Sequence, residues 1–251
     1  MKIKILYEDK DILAIDKPSG ILVHPDLRSK EKTILDLFLK KYPKIEIVHR
    51  LDKETSGVML LAKNEKAHEF LKQQFKSRKI KKIYYAIVSG WPKKDHEIIN
   101  KPIGRSPSDF RRRLAGRGAR GELREAVTEY KVLKRFEVEV CQNFYPRGSR
   151  FVSLNAPKEG RRGKNIGTPE RVSLLEIHPK TGRTHQIRVH MKYINHPVAD
   201  DALYDPKGPK IKGLERLALH AKSIEFKGLN GKIIKIESKI PKEFDKIIGK
   251  I

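Results

Sequence analysis

Short apolar runs of strand length, closed by turn-forming or charged residues, recur from one end of this 251-residue chain to the other. Ile3 to Tyr7 and Ile12 to Asp16 flank the turn-like Glu8, Asp9, Lys10 and Asp11, the pattern of an opening hairpin. Gly57 to Lys63 is apolar enough for a buried strand. Tyr84 to Val88, Thr128 to Leu133, Val172 to Ile177, Ala218 to Phe226 and Ile233 to Glu237 alternate or cluster like strands too. Helical spacing shows in fewer places. Thr33 ahead of Ile34, Leu35, Leu37 and Phe38, with Asp36 at the third helical position, predicts a helix with a capping box. Asn64 caps a second, in which Ala67, Phe70, Leu71 and Phe75 recur at helical spacing, and Thr184 is placed to cap a third running through Ile187, Met191 and Ile194. Strands spread along the whole length with a few helices among them predict an α+β protein.

Two segments fit neither pattern. Arg105 to Arg124 holds seven arginines, two acids and three glycines, and Tyr145 to Arg171 holds seven basic residues against two acids, with three prolines. Both read as loops or insertions, either solvated surface or segments that contact a polyanion. Arginine binds phosphate in a two-pronged way and stacks on bases, which suits such loops to RNA.

Charge narrows the partner. The chain carries 56 Lys and Arg against 31 Asp and Glu, a formal net charge of +25, far beyond what solubility requires. That charge is spread along the chain instead of forming one basic amphipathic helix, which fits nucleic acid better than a membrane surface. A Lys-rich composition also arises from genome bias or a high growth temperature. Cys141 is the only cysteine, so no internal disulfide and no thiolate metal cluster can form. The N-terminal apolar stretch is too short for a signal peptide, and no run approaches the length of a membrane span. The expectation is a cytoplasmic protein with no membrane segment.

The segment richest in chemistry is His49 to Gly57, HRLDKETSG. It sets an acid, Asp52, after a basic residue and before a turn-forming Thr-Ser-Gly, just ahead of an apolar strand. A carboxylate there can stand at the mouth of a cleft, or Asp52 and Arg50 can be an ordinary surface ion pair.

This segment resembles the signature of the RluA-type RNA pseudouridine synthases, H-R-L-D-x-x-T-S-G, and His49, Arg50, Leu51, Asp52, Thr55, Ser56 and Gly57 match it throughout. Other segments agree in the family's order: KPSGILVHP (17 to 25), KKIYYAIVSG (81 to 90), GRTHQIRVH (182 to 190), HPVADDALY (196 to 204) and LALHA (217 to 221). The resemblance implies one catalytic domain over residues 1–251, with a mixed, largely antiparallel sheet flanked by helices and loops around a basic cleft. It begins almost at Met1, so no small N-terminal RNA-binding domain is expected. Two departures stand out: Asp200 occupies the place of a glycine that usually precedes the aspartate matched by Asp201, and the stretch from about Val138 to Arg171 is long.

The implied reaction is site-specific conversion of uridine to pseudouridine in ribosomal or transfer RNA. The resemblance makes Asp52 the catalytic aspartate, through a covalent or a glycal-type intermediate, while uracil detaches at N1 and reattaches through C5. It makes Tyr84, not its neighbour Tyr85, the residue that stacks near uracil and assists removal of the C5 proton. Arg183 would pair with Asp52, Arg50 would hold the site open around the extruded base, and Ile187 and Leu219 would contact the substrate, Ile187 also serving the core. The residue types suit the chemistry on their own terms. Isomerisation needs a nucleophile or base near C1′, a cation to keep it ionised and a flat group to hold loose uracil, with no cofactor and no metal. A paired base hides the atoms concerned, so the uridine must be single-stranded or flipped out.

His185, His190 and His220 invite a metal reading, but with His49 they have neither a zinc-protease spacing nor a suitably placed carboxylate. GRRGK, 160 to 164, lacks the spacing of a phosphate loop and the hydroxyl residue after its lysine. The chain is read as a monomer with RNA as partner and no obligate protein partner. Three rivals remain: a non-catalytic RNA-binding or ribosome-assembly factor of the same fold, a nuclease using histidines, and a basic structural protein of the ribosome.

Overall fold

Turn chemistry and apolar alternation produce the first hairpin where the sequence places it. The structure, a computed structural model, describes residues 3–25, 31–141 and 169–249. β1 (Lys4–Glu8) pairs antiparallel with β2 (Ile12–Lys17), and the Asp9 carboxylate accepts the backbone N–H groups of Asp11 and Ile12 at 2.8 and 2.6 Å. β2 then pairs antiparallel with β4 (Ser56–Ala62), whose seven residues are all buried. Such a strand needs cover on both faces. α2 (Glu65–Lys76) packs Ala67 and Leu71 against Ala14, Val58 and Leu60, and α1 (Ile34–Leu39) packs Ile34 and Phe38 against Leu13, Met59 and Leu61. Both helices start as their caps predict. Thr33 and Asp36 form a reciprocal capping box, and the Asn64 side chain accepts from Ala67 N–H at 2.9 Å.

The second half of the sheet is built from β5 (Lys81–Ser89), β6 (His96–Asn100), β10 (Val127–Val138), β11 (Glu170–Pro179) and β12 (Leu219–Lys227). Strand order is β1-β2-β4-β12-β5-β11-β10-β6, with β13 (Ile233–Glu237) beside β12 and β3 (Glu46–Ile47) beside β4. Every ladder of this sheet among the described residues is antiparallel except β4 with β12, where His220 lies opposite Ser56 and Ala221 opposite Gly57. That one parallel pairing joins the two halves. Gly57 there has φ +110°, and a Cβ on it would collide with the Ala221 carbonyl, so the glycine is demanded by the close approach of β12. A core of residues from β5, β10, β11, α3 (Gln186–Tyr193) and α4 (Lys242–Ile248) fills the second half. The fold is the strand-rich α+β architecture the element pattern predicts, with the mixed, largely antiparallel sheet that the resemblance implies.

Three expectations change. The segment 105 to 124 is not a loop: β7 (Ile103–Arg105), β8 (Arg113–Ala115) and β9 (Arg120–Arg124) form a separate antiparallel sheet of three strands. Its apolar contributions are few, Ile103 and Ala115, but they pack with Ala126 against Val189 of α3 and Tyr204. Thr184 does not cap α3; His185 occupies the N-cap, with φ +55° and no side-chain capping bond. Of the second basic segment, Glu170 and Arg171 open β11, while residues 145 to 168, with GRRGK, lie outside the described residues. No helix among the described residues is long and apolar enough to cross a membrane.

Candidate active site

The loop carrying Asp52 leads into β4 at the parallel junction, and it is tied down by a buried cation. Lys17, fully enclosed at the end of β2, donates to the carbonyls of Pro18, Lys53 and Thr55 at 3.0, 2.9 and 2.9 Å. Burial lowers its pKa to about 8, opposed by Glu54 and Asp52. At neutral pH the ammonium therefore persists, and its three hydrogens meet three acceptors. Gly20 N–H adds a bond to the Lys53 carbonyl at 2.8 Å. The loop's backbone is thus held just after Asp52, at Lys53 and Thr55.

The Asp52 carboxylate faces α3. Its Oδ2 lies 3.3 Å from Nη1 of Arg188, and the same guanidinium forms a two-pronged pair with Asp201, Nε to Oδ2 and Nη2 to Oδ1, each 2.7 Å. Asp201 is sealed from solvent and also accepts the N–H groups of Leu203 and Tyr204 at 3.0 and 2.9 Å. Burial works against the charge on Arg188, but the hydrogen bonds and charge of Asp201, with Asp52 adding to them, raise its pKa above the ordinary arginine value. A permanent cation is thus fixed against one oxygen of Asp52, leaving the other directed elsewhere.

The turn ahead of α3 is fastened by Gln186. Its Oε1 accepts from Thr181 Oγ1 and Arg183 N–H at 2.7 and 3.0 Å, and its Nε2 donates to the Val127 carbonyl and Thr128 Oγ1 at 3.0 and 2.9 Å. This turn and the Asp52 loop enclose a cleft of about 520 Å³, within the size range of ligand sites. Tyr84 of β5 lines it, and burial, with the Asp52 charge second, raises its pKa. Tyr84 is therefore a neutral phenol at physiological pH, fit to hold a flat ring and poor as a phenolate base. Ile187 and Leu219 line the same cleft while belonging to the core, and exposed Arg50 stands on its rim.

The structure thus brings Asp52, Tyr84, Arg50, Ile187 and Leu219 together and separates Arg183 from the role assigned to it. Arg183 lines the cleft, but its Nε–H goes to the Glu125 carbonyl at 2.9 Å; the guanidinium on Asp52 belongs to Arg188. Sequence reasoning assigned no site role to Arg188, Lys17 or Gln186, and named Asp201 only as the aspartate after Asp200. The signal for Arg188 lay in its neighbours, since a charged residue between buried Ile187 and Val189 must have a partner. The histidines have structural partners: His49 Nε2 accepts Leu60 N–H at 2.9 Å, and His190 lies between Thr128 Oγ1 and the Lys101 carbonyl at 2.8 and 3.0 Å.

A family model described as RNA pseudouridylate synthase matches residues 11–193, which contain Asp52, Tyr84 and Arg188. The chain belongs to that family. Within it the chain is of the RluA type: it is 31% identical over 265 residues to the ribosomal large subunit pseudouridine synthase D of Xanthomonas campestris, covering 98% of this chain and 69% of that protein. An RNA pseudouridine synthase of Aquifex aeolicus is 38% identical over 218 residues, 83% of this chain and 58% of its own length. This chain therefore aligns with under two thirds of that relative. Among solved structures, human RNA pseudouridylate synthase domain containing 4 superposes with a TM-score of 0.67 at 26% identity, covering 96% of this chain and 89% of that one. Human RNA pseudouridylate synthase domain containing 1 has the same fold, with a TM-score of 0.71.

Family membership gives meaning to Asp200. It adopts φ +54°, the left-handed conformation glycine takes at no steric cost, and holds it with a bond from Lys210 to Oδ1 at 2.8 Å. The residue that replaces the usual glycine keeps the turn, and Asp201 stays in place for Arg188.

Proposed function

We propose that this chain isomerises uridine to pseudouridine in structured RNA, ribosomal or transfer, with Asp52 as the reacting carboxylate. The observation that carries the reading is the chain of contacts Asp201–Arg188–Asp52 at the wall of a cleft that Tyr84, Ile187 and Leu219 also line. Asp52 Oδ2 meets a permanent cation, Arg188, while its Oδ1 remains available to C1′ of a uridine entering the cleft. The uracil freed at N1 rests against Tyr84, Ile187 and Leu219 until C5 faces C1′. Both the covalent and the glycal-type route use the carboxylate in this position. Because the reacting atoms of a stacked, paired uridine are hidden, the target must be flipped into the cleft, at a cost of a few kcal/mol. In this reading Arg50 on the rim holds the site open around the extruded base, and the formal charge of +25 favours the polyanion.

The direct test uses total ribosomal and transfer RNA transcripts tritiated at uracil C5. Tritium is released by wild type and not by Asp52→Asn, which keeps its affinity for RNA. A protein that binds these RNAs and releases nothing from any of them is the assembly factor of the rival reading. Strand cleavage would mark the nuclease. A monomeric state and a cytoplasmic location belong to the same proposal.

A further inference from the structure

His185 sits beside Asp52 in a conformation that needs explaining. It is a non-glycine residue at φ +55°, a strained placement that persists where its surroundings enforce it and that clusters at functional sites. Its ring meets Tyr204 edge-on, with Nδ1 3.0 Å from the Tyr204 hydroxyl. That hydroxyl already accepts the backbone N–H of Arg113 at 2.9 Å. Its own hydrogen finds its acceptor among the described residues in His185 Nδ1. The ring proton then lies on Nε2. Burial lowers the pKa of His185, with Arg188 and Arg113 acting in the same direction against Asp52 and Asp201, so the ring is neutral at pH 7.

Nε2 lies 4.0 Å from Asp52 Oδ1, the oxygen that Arg188 leaves open. That is too far for a hydrogen bond between them. It is the spacing of a donor and an acceptor that share a third atom: an oxygen about 2.8 Å from each would see them about 90° apart. Such an atom must both accept and donate, which a hydroxyl does and a carbonyl does not. With Asp52 serving C1′, the hydroxyl bonded to the adjacent carbon is the one within reach.

We propose that His185, oriented by Tyr204, donates Nε2–H to the ribose 2′-hydroxyl of the target nucleotide while that hydroxyl donates to Asp52 Oδ1, making His185 the residue that distinguishes ribose from deoxyribose. The inference rests on the uridine-isomerising function proposed above. Tyr204 is a positioning residue that acts through the imidazole. No proton changes owner in this contact. A 2′-hydroxyl read by both a donor and an acceptor is a means of telling RNA from DNA at one site.

The test is a cycle between side chain and hydroxyl. Transcripts tritiated at uracil C5 and carrying either uridine or 2′-deoxyuridine are given to wild type, His185→Gln, His185→Phe and Tyr204→Phe, each checked for wild-type thermal unfolding. Comparing ratios between proteins cancels the intrinsic effect of the hydroxyl on glycosidic bond cleavage. The preference of wild type for ribose falls about tenfold or more in His185→Phe, is partly kept by the amide donor of His185→Gln, and falls by a smaller factor in Tyr204→Phe. Nitrogen-15 spectra of histidine-labelled protein add a readout independent of turnover: His185 is the Nε2–H tautomer in wild type and a mixture in Tyr204→Phe. An unchanged preference in a folded His185→Phe, or an Nδ1–H tautomer in wild type, overturns the inference while leaving the proposed function standing. Absence of tritium release by wild type from every uridine transcript overturns the proposed function and the inference with it.

Discussion

Asp201 and Arg188 form a two-pronged ion pair, 2.7 Å at each prong, with side chains 0% and 5% exposed. Asp201 itself never reaches the cleft; it acts by fixing the guanidinium that meets Asp52. Breaking a buried pair from one side leaves an uncompensated charge and costs about 3–5 kcal/mol. Arg188→Gln therefore lowers thermal stability markedly and reduces turnover by about a hundredfold or more. Arg183→Ala, which removes a bond to a backbone carbonyl, leaves turnover within a few fold. Paired measurements of tritium release and chemical unfolding on both variants check this, and equal losses of turnover would return the pairing role to Arg183.

The correction at Arg188 shows which part of the site was open to reading. Local pattern isolates the segments that hold Asp52 and Tyr84, and the resemblance to the RluA-type signature gives the two residues their roles. The partner of Asp52 depends on which of two arginines in GRTHQIR faces it, and that is decided by where α3 begins. The fourfold-bonded Gln186 and the left-handed His185 set that start, and neither is visible as a capping signal. Likewise the sheet of β7, β8 and β9 was hidden because it buries little of itself: β9 is exposed at all five positions, so its residues lack the alternation that marks a half-buried strand. The opening hairpin and the first two helix caps were legible because their signals are local.

That small sheet carries exposed arginines, and RNA phosphates are their proposed partners. Arg105, Arg117 and Arg120 are exposed and have no ion-pair partner among the described residues, whereas Arg111 is bound to Asp109 at 2.8 Å. Each phosphate that an arginine no longer neutralises lowers the slope of log affinity against log salt by about 0.7–0.9. Replacing Arg105, Arg117 and Arg120 together by Ala weakens binding of ribosomal RNA transcripts and reduces that slope by up to about 2 to 3, measured by filter binding across a salt series. An unchanged slope makes the sheet a bystander.

His220 makes stability depend on pH. It is 2% exposed, its Nδ1 meets Ser56 Oγ at 2.8 Å, and burial lowers its pKa to about 4 from an ordinary 6.5. Between those values the unfolded chain binds the proton and the folded chain does not. The contribution is thus complete above pH 6.5 and is lost as pH falls towards 4, by about 1.4 kcal/mol per pH unit. Urea unfolding at pH 7, 6 and 5 shows this fall, and His220→Asn removes that share of it. A variant with the wild-type slope would show that His220 already carries its proton when folded.

The central claim is that one carboxylate, Asp52, breaks and remakes the bond between uracil and ribose. Tritium release from C5-labelled ribosomal and transfer RNA transcripts, by wild type and by Asp52→Asn in parallel, tests it most directly. Wild type is expected to release tritium, the variant to release none detectably, and the two to bind RNA with similar affinity. Release by Asp52→Asn at the wild-type rate would contradict it.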